Sequence, residues 1–388
     1  MDRNPKLLRI TTVPVSLLKL LTGQPKFMTQ HGFDVILISA DGKERAEVIL
    51  KENCPHIVVP MTRQITLIQD LKCLFKLVKI FREQKPDIVH THTPKAGLLG
   101  MIAAKIAGVK IRMHTVAGLP LMVATGLKRS LLINIERLTY FSASHVYPNS
   151  FTLLDFIKQN KLCTDKKLGV IGYGTSNGVD TEEYSVESLK QDQLEEIKKE
   201  FNYQADKLYL LSVGRVVKDK GIEELVNVFK KINLIHTDTH LIIVGPLESD
   251  LDPISENTLN NIKQHPNITH IHYSNYVKYY LYLATLLIHP SHREGFPNVL
   301  LQAGAMGCPI VCSDISGNID LVVHNKTGLL FKVNDELDML EKLNYALNDL
   351  SFMNVKSINL QQQISEKYSR KFMQEQILLM YTKNLQIV

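Results

Sequence analysis

Apolar residues fall along this chain in short, often β-branched runs, separated by longer stretches where they recur every three or four positions. The runs at 7–12, 33–39, 56–60, 87–92, 110–115, 145–149 and 168–172 predict strands in the first half. Those at 208–214, 240–245, 268–273, 286–291, 309–314 and 328–331 predict strands in the second. Several are apolar throughout, as expected of strands buried on both faces of a parallel sheet. The stretches between them have helical period. In TLIQDLKCLFKLVKIFREQ, Leu67, Leu71, Leu74, Phe75, Val78 and Phe81 share the face expected to be buried, with Lys72, Lys76, Lys79 and Arg82 largely off it. Alternating strands and helices over this length predict two doubly wound α/β sheets. Glycines 172, 174 and 178, set among Ser, Thr and Asn, mark the break between them. A polar helix over 191–201 follows the break, and SRKFMQEQILLMYTKNLQIV predicts a terminal helix.

Composition narrows the class. The 388 residues are 45% hydrophobic, enough for two cores. No run reaches the roughly 18 uninterrupted apolar residues of a spanning helix. Pro14 and Lys19 interrupt the first apolar stretch, which argues against a secretory signal. The five cysteines are scattered without a CxxC pair, so neither a disulfide framework nor a zinc site is expected, and a cytoplasmic setting is. The formal charge of +6 hides a split. Residues through Asp180 hold 25 Lys and Arg against 13 Asp and Glu, while the remainder holds 20 against 26. A basic first half suits an anionic membrane face or a phosphate-bearing substrate. A merely well-solvated basic face is the other reading, and charge alone leaves both open. No zinc finger, ribonucleoprotein motif or basic arm points to nucleic acid.

Ligands of open parallel sheets bind beyond the carboxyl ends of the strands. Three places fit that rule. In VGRVVKDKG a strand ends at Gly214, and Arg215, Lys218 and Lys220 precede a helix near Gly221. Such cations suit an anion such as a diphosphate; a solvated turn is the alternative. In SHREGFPNVLLQ a strand delivers Glu294 to a helix entry with Gly295, Phe296, Pro297, Asn298 and Val299. Pro297 suits the first helical turn, and Gly295 permits close approach of the backbone to a ligand. A carboxylate there suits sugar hydroxyls, which donate to it. A dipole-favoured entry acid is the bland reading. The third place is IVHTHTPKAG with IRMHTVAGLP. His90 and His92 share a strand face, Lys95 follows, and His114 ends the next strand. No fourth ligand or acidic partner accompanies these histidines, so a metal is not expected.

Together the motifs resemble the group 1 glycosyltransferases, the retaining family four. EGFPNVLLQAGAMGCPIVCSDISGNIDLV is similar to the family's C-terminal signature, with Gly307, Pro309, Asp314, Gly317 and Asp320 in its tail. VGRVVKDKG resembles the Arg…Lys diphosphate element, and SNGVD the interdomain N-G-V/I-D. The resemblance covers the whole chain in order and is densest from Asn177 to Leu330. It implies a GT-B fold, with two Rossmann-like domains facing an interdomain cleft. Residues 1–176, joined by a terminal helix 367–388, would bind the acceptor, and 177–366 the nucleotide-sugar.

The implied roles follow residue by residue. Arg215 and Lys220 would neutralise the departing diphosphate, and Glu294 would hold the transferred sugar. Gly214 and Gly295 to Val299 would line the donor, and residue 302 would meet the ribose. His114 matches the region of a cleft histidine, although the family often writes H-G where this chain has H-T-V-A-G. The loop TTVPVSLLKLLTGQ lacks the usual Gly-Gly and offers only Gly23; with His92 and Lys95 it receives a weak cleft role. Gln302 stands where the family places a second acid. Its amide oxygen still accepts from a ribose hydroxyl, without the charge assistance of a carboxylate.

The activity implied is retaining, metal-independent transfer of a sugar, with no cofactor, from a nucleotide-sugar, by default a UDP-sugar. The acceptor would be a glycan or polyprenyl-diphosphate-linked sugar in capsule, exopolysaccharide or lipopolysaccharide synthesis. Peripheral attachment to an anionic inner-membrane face would follow, and Lys128, Arg129 and Arg137 are the cations suggested for it. A sugar-nucleotide epimerase of the same fold and a non-catalytic nucleotide-sugar-binding subunit are the competing readings.

Overall fold

A computed structural model describes residues 3–248 and 252–386. Residues 1, 2, 249–251, 387 and 388 lie outside the described residues, and with them the last two positions of the expected terminal helix. The chain divides into two compact units. The first runs through Asn177 and takes back the segment from Lys371 onward; the second is Gly178–Arg370.

The first unit holds a parallel six-stranded sheet. Its strands are β1 (Lys6–Ile10), β2 (Asp34–Ser39), β3 (His56–Val58), β4 (Ile88–Thr91), β5 (Ile111–Val116) and β6 (His145–Pro148), in the order β3-β2-β1-β4-β5-β6. Both faces are covered. Leu8 and Ile10 enter one apolar cluster and Leu7 the opposite one, as alternation along a strand requires. The Arg370–Gln386 helix supplies Ile377 and Tyr381 to the cluster around Leu7, and Tyr381 Oη lies 2.6 Å from His90 Nδ1.

The second unit repeats the plan. Its strands are β7 (Leu208–Val213), β8 (Thr239–Val244), β9 (Ile268–Ile271), β10 (Leu286–His289), β11 (Ile310–Ser313) and β12 (Leu329–Phe331), in the order β12-β11-β10-β7-β8-β9. Tyr209 and Leu211 pack on one side and Leu210 on the other. In each sheet the order reverses between the first and fourth strands of the unit, β1 with β4 and β7 with β10. That reversal opens a crevice beyond the strand ends, where open α/β sheets bind ligands.

Four local expectations change. The run at 168–172 is no strand. Leu168 makes a single bridge to Val146, and Gly172 then takes φ +57, which ends extended pairing. The stretch TTVPVSLLKLLTGQ is not simply a loop, because Pro14–Leu20 is helical with Pro14 in its first turn. Pro297 caps the Asn298–Ala305 helix rather than opening it. Most consequential, the Leu67–Gln84 helix is turned by roughly a quarter-turn from its expected face. Cys73, Leu77, Val78, Ile80 and Phe81 are buried, whereas Leu67, Leu71 and Phe75 are 81%, 52% and 65% exposed. The helix has apolar residues on two sides, and packing on its neighbours selected one. Among the described residues, no helix is long and apolar enough to cross a membrane.

Candidate functional site

Strands β7 and β10 pair at the reversal of the second sheet, so the loops that follow them leave side by side. The first carries Gly214 to Lys220 into the Ile222–Ile235 helix; the second carries Pro290 to Pro297 into the Asn298–Ala305 helix. Val216 and Val217 are fully buried and peg the first loop to the core. The two loops are then laced together. The backbone N–H of His292 donates to Asp219 O at 2.9 Å, and Arg293 Nη2 donates to Asp219 Oδ2 at 2.9 Å. His292 Nε2 also lies 3.0 Å from Glu224 Oε1. Gly221 sits between the loops with φ +66, and a Cβ there would fall 2.1 Å from Pro290 O. Only glycine meets both demands.

This lacing brings Lys220 and Glu294 together. Lys220 Nζ pairs with Glu294 Oε1, and His289 Nε2 donates to the same oxygen at 3.1 Å. The side chains of Lys220, Glu294 and His289 are 18%, 15% and 6% exposed. Burial by itself pushes the Glu294 carboxyl up. The Lys220 charge and the His289 hydrogen bond outweigh it and hold the group well below the usual carboxylate range. Oε1 thus has two protein donors, while Oε2 has none among the described residues. Gly317, with φ +86, backs this turn; a Cβ would lie 2.7 Å from Gly295 O. Gly295, Phe296 and Pro297 are buried and Asn298 is exposed at the helix start.

Gln302 lies one turn further into that helix. Its Nε2 donates to Tyr184 Oη at 2.8 Å, and its Oε1 has no donor among the described residues. Burial pushes the Tyr184 hydroxyl up to about 12, so it stays protonated at neutral pH. Arg215 follows Gly214 at the surface and pairs with Glu248 at 2.8 Å rather than with Glu294. The second unit therefore gathers a buried, charge-compensated carboxylate, a lysine, a surface arginine and an oriented amide around one strand reversal. Chemically this suits a neutral polyol held beside an anion.

The remaining predicted residues belong to the first unit. His114 is buried, its Nδ1 lies 2.8 Å from Thr91 Oγ1, and its ring packs on the Pro94–Ile106 helix at Gly97, where a Cβ would fall 2.3 Å from Cε1. Burial lowers it to about 4, so the ring is neutral at pH 7. His92 is buried and its Nε2 accepts from Arg9 Nε at 3.0 Å. Lys95 is held by Asp70 at 2.7 Å, and Gly23 donates its N–H to Glu52 at 2.7 Å. Of the three cations suggested for a membrane face, Arg129 is tied to Leu121 O and Asn160, while Lys128 and Arg137 are exposed.

Sequence reasoning missed His289, Asp219, Arg293 and Tyr184. The first was within reach, since it ends a strand five positions before Glu294. Tyr184 was not, because 118 positions separate it from Gln302.

Comparison with known proteins identifies the family. Residues 193–368 match the family model described as glycosyl transferases group 1, and 21–150 the one described as glycosyl transferase 4-like. The chain is similar to the capsular polysaccharide biosynthesis glycosyltransferase CapM of Staphylococcus aureus, 34% identical over 98% of this chain and 97% of that one. It also resembles the Escherichia coli UDP-Gal:alpha-D-GlcNAc-diphosphoundecaprenol alpha-1,3-galactosyltransferase, 27% identical over 92% of each. Among solved structures, Anabaena HepE in complex with UDP and glucose superimposes with a TM-score of 0.80 at 16% identity, over 98% of this chain and 100% of that one. The likeness to HepE bears on the fold, which is GT-B.

Proposed function

The chain belongs to the group 1 glycosyltransferases, and from that premise we propose that it is a retaining, metal-independent enzyme moving a sugar from UDP to a polyprenyl-diphosphate-linked acceptor at an anionic membrane face. The observation that carries the donor assignment is the pairing of Lys220 with one oxygen of Glu294 while the other has no donor among the described residues. The diphosphate lies along Lys220, Arg215 and the first turn of the Asn298–Ala305 helix, where cations and backbone N–H groups meet. The open oxygen of Glu294 accepts from hydroxyls of the transferred sugar, and the amide oxygen of Gln302 from a ribose hydroxyl.

Transfer breaks the bond between the anomeric carbon and the diphosphate oxygen, and the acceptor oxygen bonds to the same face of that carbon. The acceptor's proton passes to the departing phosphate oxygen, so no covalent enzyme intermediate is needed. Lys220 and Arg215 lower the barrier because negative charge on the leaving group grows as the bond breaks. The E. coli relative carries UDP-Gal and diphosphoundecaprenol in its name, and the HepE structure holds UDP. Both support the choice of nucleotide, and the E. coli relative's name supports the acceptor class. The basic first half supports a lipid-borne acceptor.

The test is nucleotide release with and without a lipid-diphosphate-linked sugar, joined to the anomeric configuration of the product by NMR. Acceptor-dependent UDP release with retained configuration is expected. Turnover of the nucleotide-sugar without acceptor overturns the transfer reading in favour of an epimerase. Inverted configuration overturns the retaining mechanism, and tight donor binding without turnover overturns catalysis.

A further inference from the structure

The quarter-turn of the Leu67–Gln84 helix leaves a surface that the proposed chemistry does not use. Ile65, Leu67, Ile68, Leu71 and Phe75 are 68%, 81%, 77%, 52% and 65% exposed. Single exposed apolar residues are ordinary, but five on one helix and its entry turn make a stripe that marks an interaction site. Successive helical positions place Leu67, Leu71 and Phe75 one turn apart, with Ile68 beside them.

Cations border the stripe. Lys72, Lys76, Lys79 and Arg82 are exposed along the same helix, and Arg63 stands before it. Two acids lie in residues 61–84: Asp70, bound through both oxygens by Lys95 at 2.7 and 2.8 Å, and Glu83, which stands 3.8 Å from Lys79, so Arg63, Lys72, Lys76 and Arg82 outnumber them on this face. The face therefore presents apolar side chains within a rim of positive charge. A second copy of the chain suits it poorly, since a self-complementary contact would set one cationic rim against another. An anionic bilayer satisfies both features. The apolar stripe enters the acyl boundary, and the lysine stems lie along it with their ammonium groups among the headgroups.

We infer that the exposed face of the Leu67–Gln84 helix is the surface by which the first unit docks on an anionic lipid bilayer. This deepens the proposed function, on whose lipid-borne acceptor it rests, by naming the contact. It adds this helix to the cations of the Gly126–Ser142 helix, of which Lys128 and Arg137 are exposed while Arg129 is engaged within the unit.

The test uses the full chain with vesicles of phosphatidylcholine alone or mixed with phosphatidylglycerol, at low salt and without donor or acceptor. Binding to the mixed vesicles at least about a hundredfold stronger is expected, since each cation near such a surface contributes about fivefold. Replacing Lys72, Lys76 and Lys79 together by Gln is expected to weaken it by about a hundredfold on the same scale. The pair Leu71→Ser with Phe75→Ser abolishes insertion while leaving thermal melting and UDP binding unchanged, because these side chains are exposed. Equal binding to both vesicle types overturns the inference, as does full binding by the triple variant. A lipid-free dimer that Phe75→Ser dissociates overturns it in favour of self-association. Turnover on a short-chain, water-soluble acceptor separates the two readings. If it persists without vesicle binding, only the docking surface fails; vesicle binding without any turnover means that only the transfer reading fails.

Discussion

His289 donates to the same oxygen of Glu294 that Lys220 holds, and so aims the opposite oxygen outward. Strand β10 ends at His289, which fixes its ring, and the laced loops fix Lys220. A carboxylate held from two sides keeps its charge and its direction before any ligand arrives, which is how a site avoids reorganisation during reaction.

Glu294→Ala and Lys220→Ala are each expected to lower kcat/KM by about a hundredfold or more, the usual scale for losing a preorganised charge contact. His289→Gln keeps a donor and is expected to retain most activity. His289→Ala should mainly lower kcat, because the carboxylate stays charged but loses its aim. Steady-state kinetics with varied donor checks all four. Equal activity of the two His289 variants would remove its positioning role.

Gln302→Glu replaces an amide that donates to Tyr184 with a group that only accepts. Tyr184 then turns its own hydroxyl proton toward the new acid, and a second negative charge lies near the diphosphate. Donor affinity measured by calorimetry is expected to hold or fall. Tyr184→Phe frees the amide and is expected to raise the donor KM severalfold at nearly constant kcat. A large gain in affinity for Gln302→Glu would show that the amide is a handicap.

Gly221→Ala meets both a left-handed backbone and the Pro290 carbonyl. It is expected to cost more than about 1 kcal/mol in stability. It should also reduce activity beyond that loss, since Lys220 is the preceding residue. Denaturant unfolding and assays on the folded fraction separate the two effects. Full activity in that fraction would mean that the loops hold their register without this contact.

Acid should weaken the first unit. Burial lowers His114 to about 4 and His90 and His92 well below their ordinary 6.5. The folded chain keeps these rings neutral, while the unfolded chain takes up protons below about pH 6.5. Acidification therefore favours unfolding, and the stability is complete only above that pH. His114 alone accounts for about 3 kcal/mol lost by pH 4. Calorimetric melting between pH 7.5 and 4.5 reads the effect. A constant midpoint would mean that these rings take up protons in the fold as readily as in the unfolded chain.

How much of this was legible beforehand differs from element to element. Twelve of the thirteen expected strands appear, because continuous apolar runs between turn residues have few other uses in a doubly wound sheet. The exception, 168–172, is apolar enough, but Gly172 turns away after one bridge. Lys220 and Glu294 stood out at the ends of their strands. Their mutual contact did not, since 74 positions lie between them.

The sequence by itself determined the class of fold, the two sheets and the positions where charge gathers beyond strand ends. Those properties follow from periodicity and from which residues stop a strand or begin a helix, and both are local. Tertiary structure alone decided that Lys220 and His289 share one oxygen of Glu294, that Tyr184 orients Gln302, and that His114 is buried against Gly97. It also decided which apolar side of the Leu67–Gln84 helix faces the core. Both sides satisfy the helical period, and only the shape of the neighbouring helices and sheet discriminates between them.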